Sequence, residues 1–223
     1  MSHKRHTAPA RLFTGDELTA ALVGIGVQLA AAPLPEPPIE DVLVAASLEG
    51  MQGPDLRLLA LVATWLSVHH PWVNVDRLFR AAATIDIPEV RAWWAAVGRW
   101  LQSDRRYRRL EGLYAGPRIP LSGAATAFLV KRDGEDERFA GGPLIVPAST
   151  LRDRPADVLS PHQLAKRHTT YHWRVLMGPS YRADMWAALE LTPDIPPAEL
   201  ARTTYGSFAT AWHVKRDHEL LVA

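Results

Sequence analysis

Apolar residues recur at three- and four-residue steps over most of this chain, and that period predicts helices. Thr14 precedes the first, with Glu17 in capping-box position and Leu18, Leu22, Ile25 and Leu29 forming one stripe. Gly24 and Gly26 weaken it, and Pro33-Leu-Pro-Glu-Pro-Pro38 ends it as a stiff connector. A short helix is expected over 39–48, with acidic residues near its start. The next runs from Asp55 to His69, with Leu58, Leu59, Val62, Trp65 and Leu66 facing inward, until His70-Pro71 breaks it. Asn74 caps a short helix ending at Ala83. Asp86, Pro88 and Glu89 open a third helix, on which Ile87, Val90, Trp94, Val97 and Leu101 share the core face. Trp93 lies one residue round from that face and is expected to matter less for folding.

Three tightly joined helices match the body of a winged helix, and the loose alternation of 105–114 suits its wing strands. The following 119–160 is less regular. Residues 124–131 fit a helix or a strand, 132–138 form a polar turn, and Leu144 to Pro147 read as a short strand. Ser160 caps a helix that starts at Pro161 and runs toward Met177. Gly178-Pro-Ser180 stops it, and Tyr181 to Leu191 form another.

Pro196 and Pro197 then start a helix with Leu200 and Ala201 inward. Ser207 caps the last one, which buries Ala211, Val214 and Leu221 and turns Phe208, Ala209, Trp212, His213 and Arg216 the other way. This is the outline of a helix-turn-helix, whose second helix enters the DNA major groove. A plain helical hairpin packed on a core is the alternative. The usual turn glycine would fall at Tyr205, whereas the glycine is Gly206, so the turn is either one residue longer or degenerate.

The expected fold is mainly α with short β: two winged helix-turn-helix-like modules joined by an α+β segment. Residues 1–38 hold a basic tail, the N-terminal helix and the Pro-rich connector. Residues 39–118 form the first module, 119–176 the irregular link and 177–223 the C-terminal module.

A length of 223 residues allows one large or two small domains, and a net charge of +1 gives no global pull toward nucleic acid. DNA binding must then come from local patches. One is clear: Arg91, Arg99, Arg105, Arg106, Arg108, Arg109 and Arg118 face only Glu89, Asp104 and Glu111 over 88–118. Guanidinium groups suit phosphate oxygens, although a charge run is also what a solvated loop carries. In the last helix Ser207, Trp212, His213, Lys215 and Arg216 complete the candidate DNA contacts. Phe208 and Trp212 are not usual readers of base edges, and they suit a protein partner equally. Lys166, Arg167, Arg174 and Arg182 make a second basic cluster that suits a phosphate backbone or an acidic partner.

No cysteine is present, which excludes thiol catalysis, disulfides and cysteine-ligated zinc and fits a reducing cytoplasm. The basic start followed by an apolar stretch invites a signal peptide, but Asp16 and Glu17 intervene, so a soluble helix is expected. No apolar run is long enough to span a bilayer. His168 and His172 are four apart on an expected helix, the spacing of a metal pair, yet no acid lies near in sequence to complete the site. His69 and His70 sit where imidazoles meet the free carbonyls of a helix end. The nucleophile elbow and both glycine-rich phosphate loops are missing. No catalytic residue, metal or cofactor is expected.

Gly178-Pro-Ser-Tyr-Arg-Ala-Asp-Met-Trp-Ala-Ala-Leu-Glu, followed by Pro197-Ala-Glu-Leu-Ala-Arg, resembles winged-helix transcription regulators. More loosely, it is similar to the abortive-infection-type bacterial antitoxins that accompany nucleotidyltransferase toxins. The resemblance covers roughly 177–221. It implies a winged helix that binds the promoter of its own operon and a further domain concerned with the toxin. The candidate modules here lie at the middle and C-terminus, so the domain order departs from that pattern. The expected function is a cytoplasmic DNA-binding transcriptional regulator, as an antitoxin or phage-defence component, with double-stranded DNA as partner and no membrane. The rival is a winged-helix adaptor that binds the protein product of a neighbouring gene without reading DNA. A homodimer is left open.

Overall fold

A computed structural model of the chain describes residues 12–53 and 55–222; the basic stretch 1–11 lies outside them. The described residues are mainly helical, with one small parallel sheet. Helix α1 (Gly15–Gly24) buries Leu18, Ala21 and Leu22, and Thr14 stands at its N-cap without a side-chain cap bond. It stops where the chain doubles back. A Cβ on Gly24 would lie 2.4 Å from the Leu34 carbonyl oxygen, so the returning connector crosses directly over it. Ile25 and Val27 remain buried, but Leu29 is exposed, because the chain has left the helix by then.

Helix α2 (Ile39–Gln52) lies at the centre and is buried almost throughout, including Glu40 and Asp41. Asp55 caps α3 (Leu56–His69) by accepting the Arg57 N–H. A single 3-10 turn, His70–Trp72, leads to α4 (Val75–Ala83), which Asn74 caps at the Arg77 N–H. Helix α5 (Pro88–Trp100) buries Val90, Trp94 and Val97 as the periodicity predicts. Trp94 donates its indole N–H to Ser47 Oγ at 2.9 Å, and Trp65 donates to the Ile25 carbonyl at 2.8 Å. Trp93 is as fully buried as Trp94. Phe139, with ring centroids 5.6 Å away, covers the side of α5 that sequence alone left outward.

The strands expected in 105–114 are not formed. Tyr107–Leu113 is a 3-10 helix laid on α5, with Tyr107 and Leu110 buried. Gly98 permits this contact: a Cβ there would meet the Tyr107 carbonyl oxygen and Leu110 Cβ, each at 2.9 Å. The two strands among the described residues pair elsewhere. β1 (Ile119–Pro120) runs parallel to β2 (Leu144–Ile145), with Ile119 opposite Leu144. The ambiguous 124–131 becomes helix α6 (Thr126–Asp133). Ser160 and Gln163 form a full capping box on α7 (Pro161–Ala165), but that helix does not run on to Met177. The chain restarts as α8 (Thr169–Met177), with His168 as the new N-cap.

Helices α9 (Tyr181–Leu191), α10 (Pro197–Thr203) and α11 (Phe208–Val222) surround a second, smaller core. Met185, Leu189, Leu200, Ala201, Ala211 and Val214 fill it. Leu221 is 77 % exposed, so this core ends before the end of α11.

A charged seam joins the C-terminal helices to the body. Arg174 on α8 is buried and grips Glu40 on α2 through two bonds, Nη1 to Oε1 at 2.6 Å and Nη2 to Oε2 at 3.0 Å. Its Nε reaches Asp184 on α9 at 2.7 Å. Asn74 ties both acids together, giving its N–H to Glu40 at 2.9 Å and its amide to Asp184 at 3.2 Å. Arg77 adds Asp41 at 3.2 Å. Burial opposes the charge on Glu40, but the Arg174 and Arg77 guanidiniums and the Asn74 N–H outweigh it and hold its carboxyl below the usual value. Burial pushes Asp41 up instead; Arg77 offsets that only in part, and the nearby Glu40 charge adds to it.

Two outcomes test this architecture. Arg174→Met should cost about 3–5 kcal/mol in a denaturant melt, because it strands two buried carboxylates; an unchanged midpoint would mean the seam is hydrated. Gly98→Ala should destabilise by about 1–3 kcal/mol through overpacking, although alanine is the better helix former. A raised melting temperature would show that 107–113 is not docked on α5.

Candidate nucleic-acid interface

The turn between α10 and α11 carries the strongest local signal. Tyr205 takes the left-handed conformation, φ 60°, at the position where the turn glycine was expected. Such backbone costs a non-glycine residue about 1–2 kcal/mol. Two contacts hold it: the ring lies under the Arg77 guanidinium at 4.4 Å, and the hydroxyl donates to Asp41 at 3.4 Å. Gly206 serves packing instead. A Cβ there would fall 2.2 Å from Met185 Cε and 3.5 Å from Tyr181 Cβ. The turn is therefore neither lengthened nor missing its left-handed residue. Ser207 Oγ then accepts the Thr210 N–H at 3.1 Å, which commits this candidate contact to capping α11.

On α11 Phe208 is 55 % and Trp212 48 % exposed, and His213 and Arg216 are exposed beside them. The Arg216 guanidinium lies 5.6 Å from the Trp212 ring centroid and 2.9 Å from Asp217. Lys215 is occupied otherwise, donating to the Pro193 and Ile195 carbonyls at 3.2 and 3.0 Å and so bracing the α9–α10 connection. No acid interrupts 208–216.

The arginine run divides into structural and exposed members. Arg91 donates to the Ile85 carbonyl at 2.8 Å and pairs with Asp86 at 3.3 Å. Arg106 holds Asp104 and donates to the Pro71 and Val73 carbonyls at 3.0 and 3.3 Å. Arg109 pairs with Asp76 and stacks on Phe79 at 4.5 Å. Arg99 is exposed and packs along Gly141 and Gly142. Arg105 and Arg108 are exposed and have no ion pair among the described residues.

Asp76 brings these two distant stretches together. It accepts from Arg109, from Arg80 Nε at 2.9 Å and from the Tyr181 hydroxyl at 2.5 Å. Burial opposes its charge, but Tyr181, Arg109 and Arg80 hold its carboxyl below the usual value. Asp76 thus joins the arginine turn, the start of α4 and Tyr181, and the Cβ end of Tyr181 lies by Gly206 in the turn before α11. The only sequence trace of this hub is the i, i+4 pair Asp76–Arg80; Tyr181 gives none.

The second basic cluster disperses. Arg174 is in the seam, Arg182 pairs with Asp217 at 3.0 Å, and Lys166 and Arg167 are exposed near His172. His168 and His172 do not form a pair. His168 is buried at a helix N-cap, with Nε2 on the Pro37 carbonyl at 3.0 Å and Nδ1 near Glu36 at 3.2 Å, whereas His172 is exposed. No group of three potential metal ligands gathers among the described residues. His70 meets the Leu66 carbonyl at the end of its own helix at 3.1 Å, as expected, whereas His69 turns inward to the Leu159 carbonyl at 3.0 Å, ninety residues on. The carbonyl requires the proton of His69 on Nε2, and Nδ1 then accepts from the Tyr171 hydroxyl at 2.7 Å.

Comparison of the chain with protein-family models, with curated proteins and with solved structures finds no match.

Burial lowers the His69 pKa from 6.5 to about 4, against the smaller opposing pull of the Leu159 carbonyl. A group depressed in the fold stays neutral there while the unfolded chain takes up its proton. Its stabilisation is complete above pH 6.5 and is lost as pH falls toward 4, by up to about 3 kcal/mol. Burial shifts His168 the same way and adds to the loss. Denaturant melts from neutral pH to pH 4 should show a steep loss for the parent and a shallower one for His69→Gln. Equal slopes would place His69 in contact with water.

Proposed function

We propose that the chain is a DNA-binding transcriptional regulator, in which α10 and α11 act as a helix-turn-helix and α11 enters the major groove. The observation that supports this is the Asp76 hub, which links the arginine turn through Tyr181 to the turn before α11. In such motifs the first residues of the second helix meet base edges while flanking cations hold phosphates. His213 and Arg216 are the base or phosphate contacts on α11, with Trp212 stacked beside them, and Arg105 and Arg108 are the flanking cations. Arg106 and Arg109 are positioning residues, because their guanidiniums are committed to the fold. No helix among the described residues is long and apolar enough to cross a membrane.

A second reading is favoured by one observation. Phe208 and Trp212 are exposed aromatic residues four apart on α11, the form of a protein-binding anchor. The partner would then be a protein, such as the product of a neighbouring gene.

Mobility shifts on a mixed-sequence duplex across a salt series distinguish these. The double variant Arg105→Ala/Arg108→Ala should weaken binding to every sequence and flatten the log–log salt slope by about 2, one contact per arginine. Arg216→Ala should weaken binding and change sequence preference by about 1–3 kcal/mol if it reads a base. Absence of duplex binding by the parent at low salt would overturn the proposal. Trp212→Ala that keeps DNA affinity but abolishes binding to the neighbouring product would establish the second reading.

A further inference from the structure

The first two turns of α11 expose carbon where a recognition helix ordinarily exposes hydrogen-bonding groups. Phe208 opens the helix and is 55 % exposed; Trp212, four residues on and so on the same face, is 48 % exposed. Ala209 between them is half-buried. The stretch 208–214 holds no Arg, Lys, Asn or Gln, the side chains that read base edges through paired hydrogen bonds.

Most polar groups nearby are committed. The Thr210 hydroxyl lies 2.8 Å from Ser207 Oγ, which caps the helix. Lys215 donates to the Pro193 and Ile195 carbonyls, and Arg216 is shared between Asp217 and the Trp212 ring. His213 is exposed, with its ring perpendicular to that of Trp212 at 5.1 Å between centroids. No carboxylate lies in 208–216, and Asp217, the first, is paired with Arg182 and Arg216 at 3.0 and 2.9 Å. The face therefore brings no unpaired acid of its own helix toward a phosphate chain.

Base edges in the major groove offer such a face one complement. A base donor or acceptor covered by Phe208 or Trp212 would lose its water and gain no bond. The C5 methyl of thymine is apolar, and burying it carries no such cost. Four residues advance about 6 Å along a helix, close to two base-pair steps of about 3.4 Å each. The two rings are thus spaced to meet methyls two steps apart.

We propose that α11 selects A·T-rich duplex by burying thymine methyl groups under Phe208 and Trp212. This rests on the reading that α11 enters the major groove, and it adds a sequence class that Arg216 alone would not produce, since arginine favours guanine.

Binding of the full chain to two matched duplexes, read by fluorescence anisotropy, tests it. One holds an alternating A·T tract between G·C clamps; the other replaces every thymine with deoxyuridine. They carry the same phosphates and the same hydrogen-bonding edges and differ by the methyl alone. The parent should bind the thymine duplex more than tenfold more tightly, from about fourfold for each of two buried methyls. Phe208→Ala and Trp212→Ala should each lower that ratio about fourfold, and the double variant should bind the two duplexes alike. Equal binding of both duplexes by the parent, or a ratio undiminished in the double variant, would overturn the inference and leave duplex binding standing. Absence of binding to these and to the mixed-sequence duplex would overturn the DNA reading itself and this inference with it.

Discussion

The ion pair between Arg174 and Glu40 is the contact on which the arrangement of this chain depends. It joins α8 to α2 across 134 residues, and both side chains are fully withdrawn from water. Neither partner tolerates loss of the other, since a lone charge in that position keeps its desolvation penalty without the attraction that offsets it. The remaining members follow from the same need. Asp184 occupies the Arg174 Nε, and Asn74 supplies donors to both acids. Three acids face two guanidiniums here, and Asp41, which pairs with Arg77 and not with Arg174, is the one pushed up, chiefly by burial and further by the neighbouring Glu40 charge. Such a seam contributes little net stability compared with an apolar one, but it permits a single register. Leucines across the same boundary would slide, whereas a two-bond guanidinium–carboxylate fork does not.

Helix α4 transmits that register to α11. Three positions with polar partners cluster at its start: Asn74 in the seam, Asp76 bonded to Arg109 and Tyr181, and Arg77 over the Tyr205 ring. The strained turn residue before α11 is therefore held by the same helix that holds the arginine turn. The arginines at 106 and 109 point inward onto this platform, which leaves 105 and 108, offset by the three-residue turn of the 3-10 helix, on the solvent side.

Local chemistry made much of the helical frame legible. Asn74, Ser160 and Ser207 cap helices as read from the sequence, and the stripes of α3 and α5 bury most of the residues that the period selects. Long-range packing was not legible. Residues 105–114 carry a weak two-residue alternation, but the decisive feature is Gly98, which lets the segment lie on α5 as a 3-10 helix. Trp93 is buried by Phe139, forty-six positions away. Glu40 and Asp41 look like ordinary acids in a first helical turn; nothing local announces that Arg174 and Arg77 bury them. For the candidate interface, the residue types on α11 were readable, and its assembly with the arginine turn was not.

The same physics sets how the exposed groups on α11 can be used. Lys215 is tied to carbonyls and Arg216 is shared with Asp217, so the first half of the helix presents aromatic and imidazole surface rather than a dense row of cations. Under the proposed function, phosphate attraction comes from other elements, for which the arginine turn offers Arg105 and Arg108 as exposed cations with no ion pair among the described residues. A surface divided in this way depends on the relative placement of two segments a hundred residues apart. Asp76 ties the arginine turn to Tyr181 at the start of α9, whose Cβ lies by Gly206 in the turn before α11, so this carboxylate is the bonded link between the two segments that the proposed function uses together.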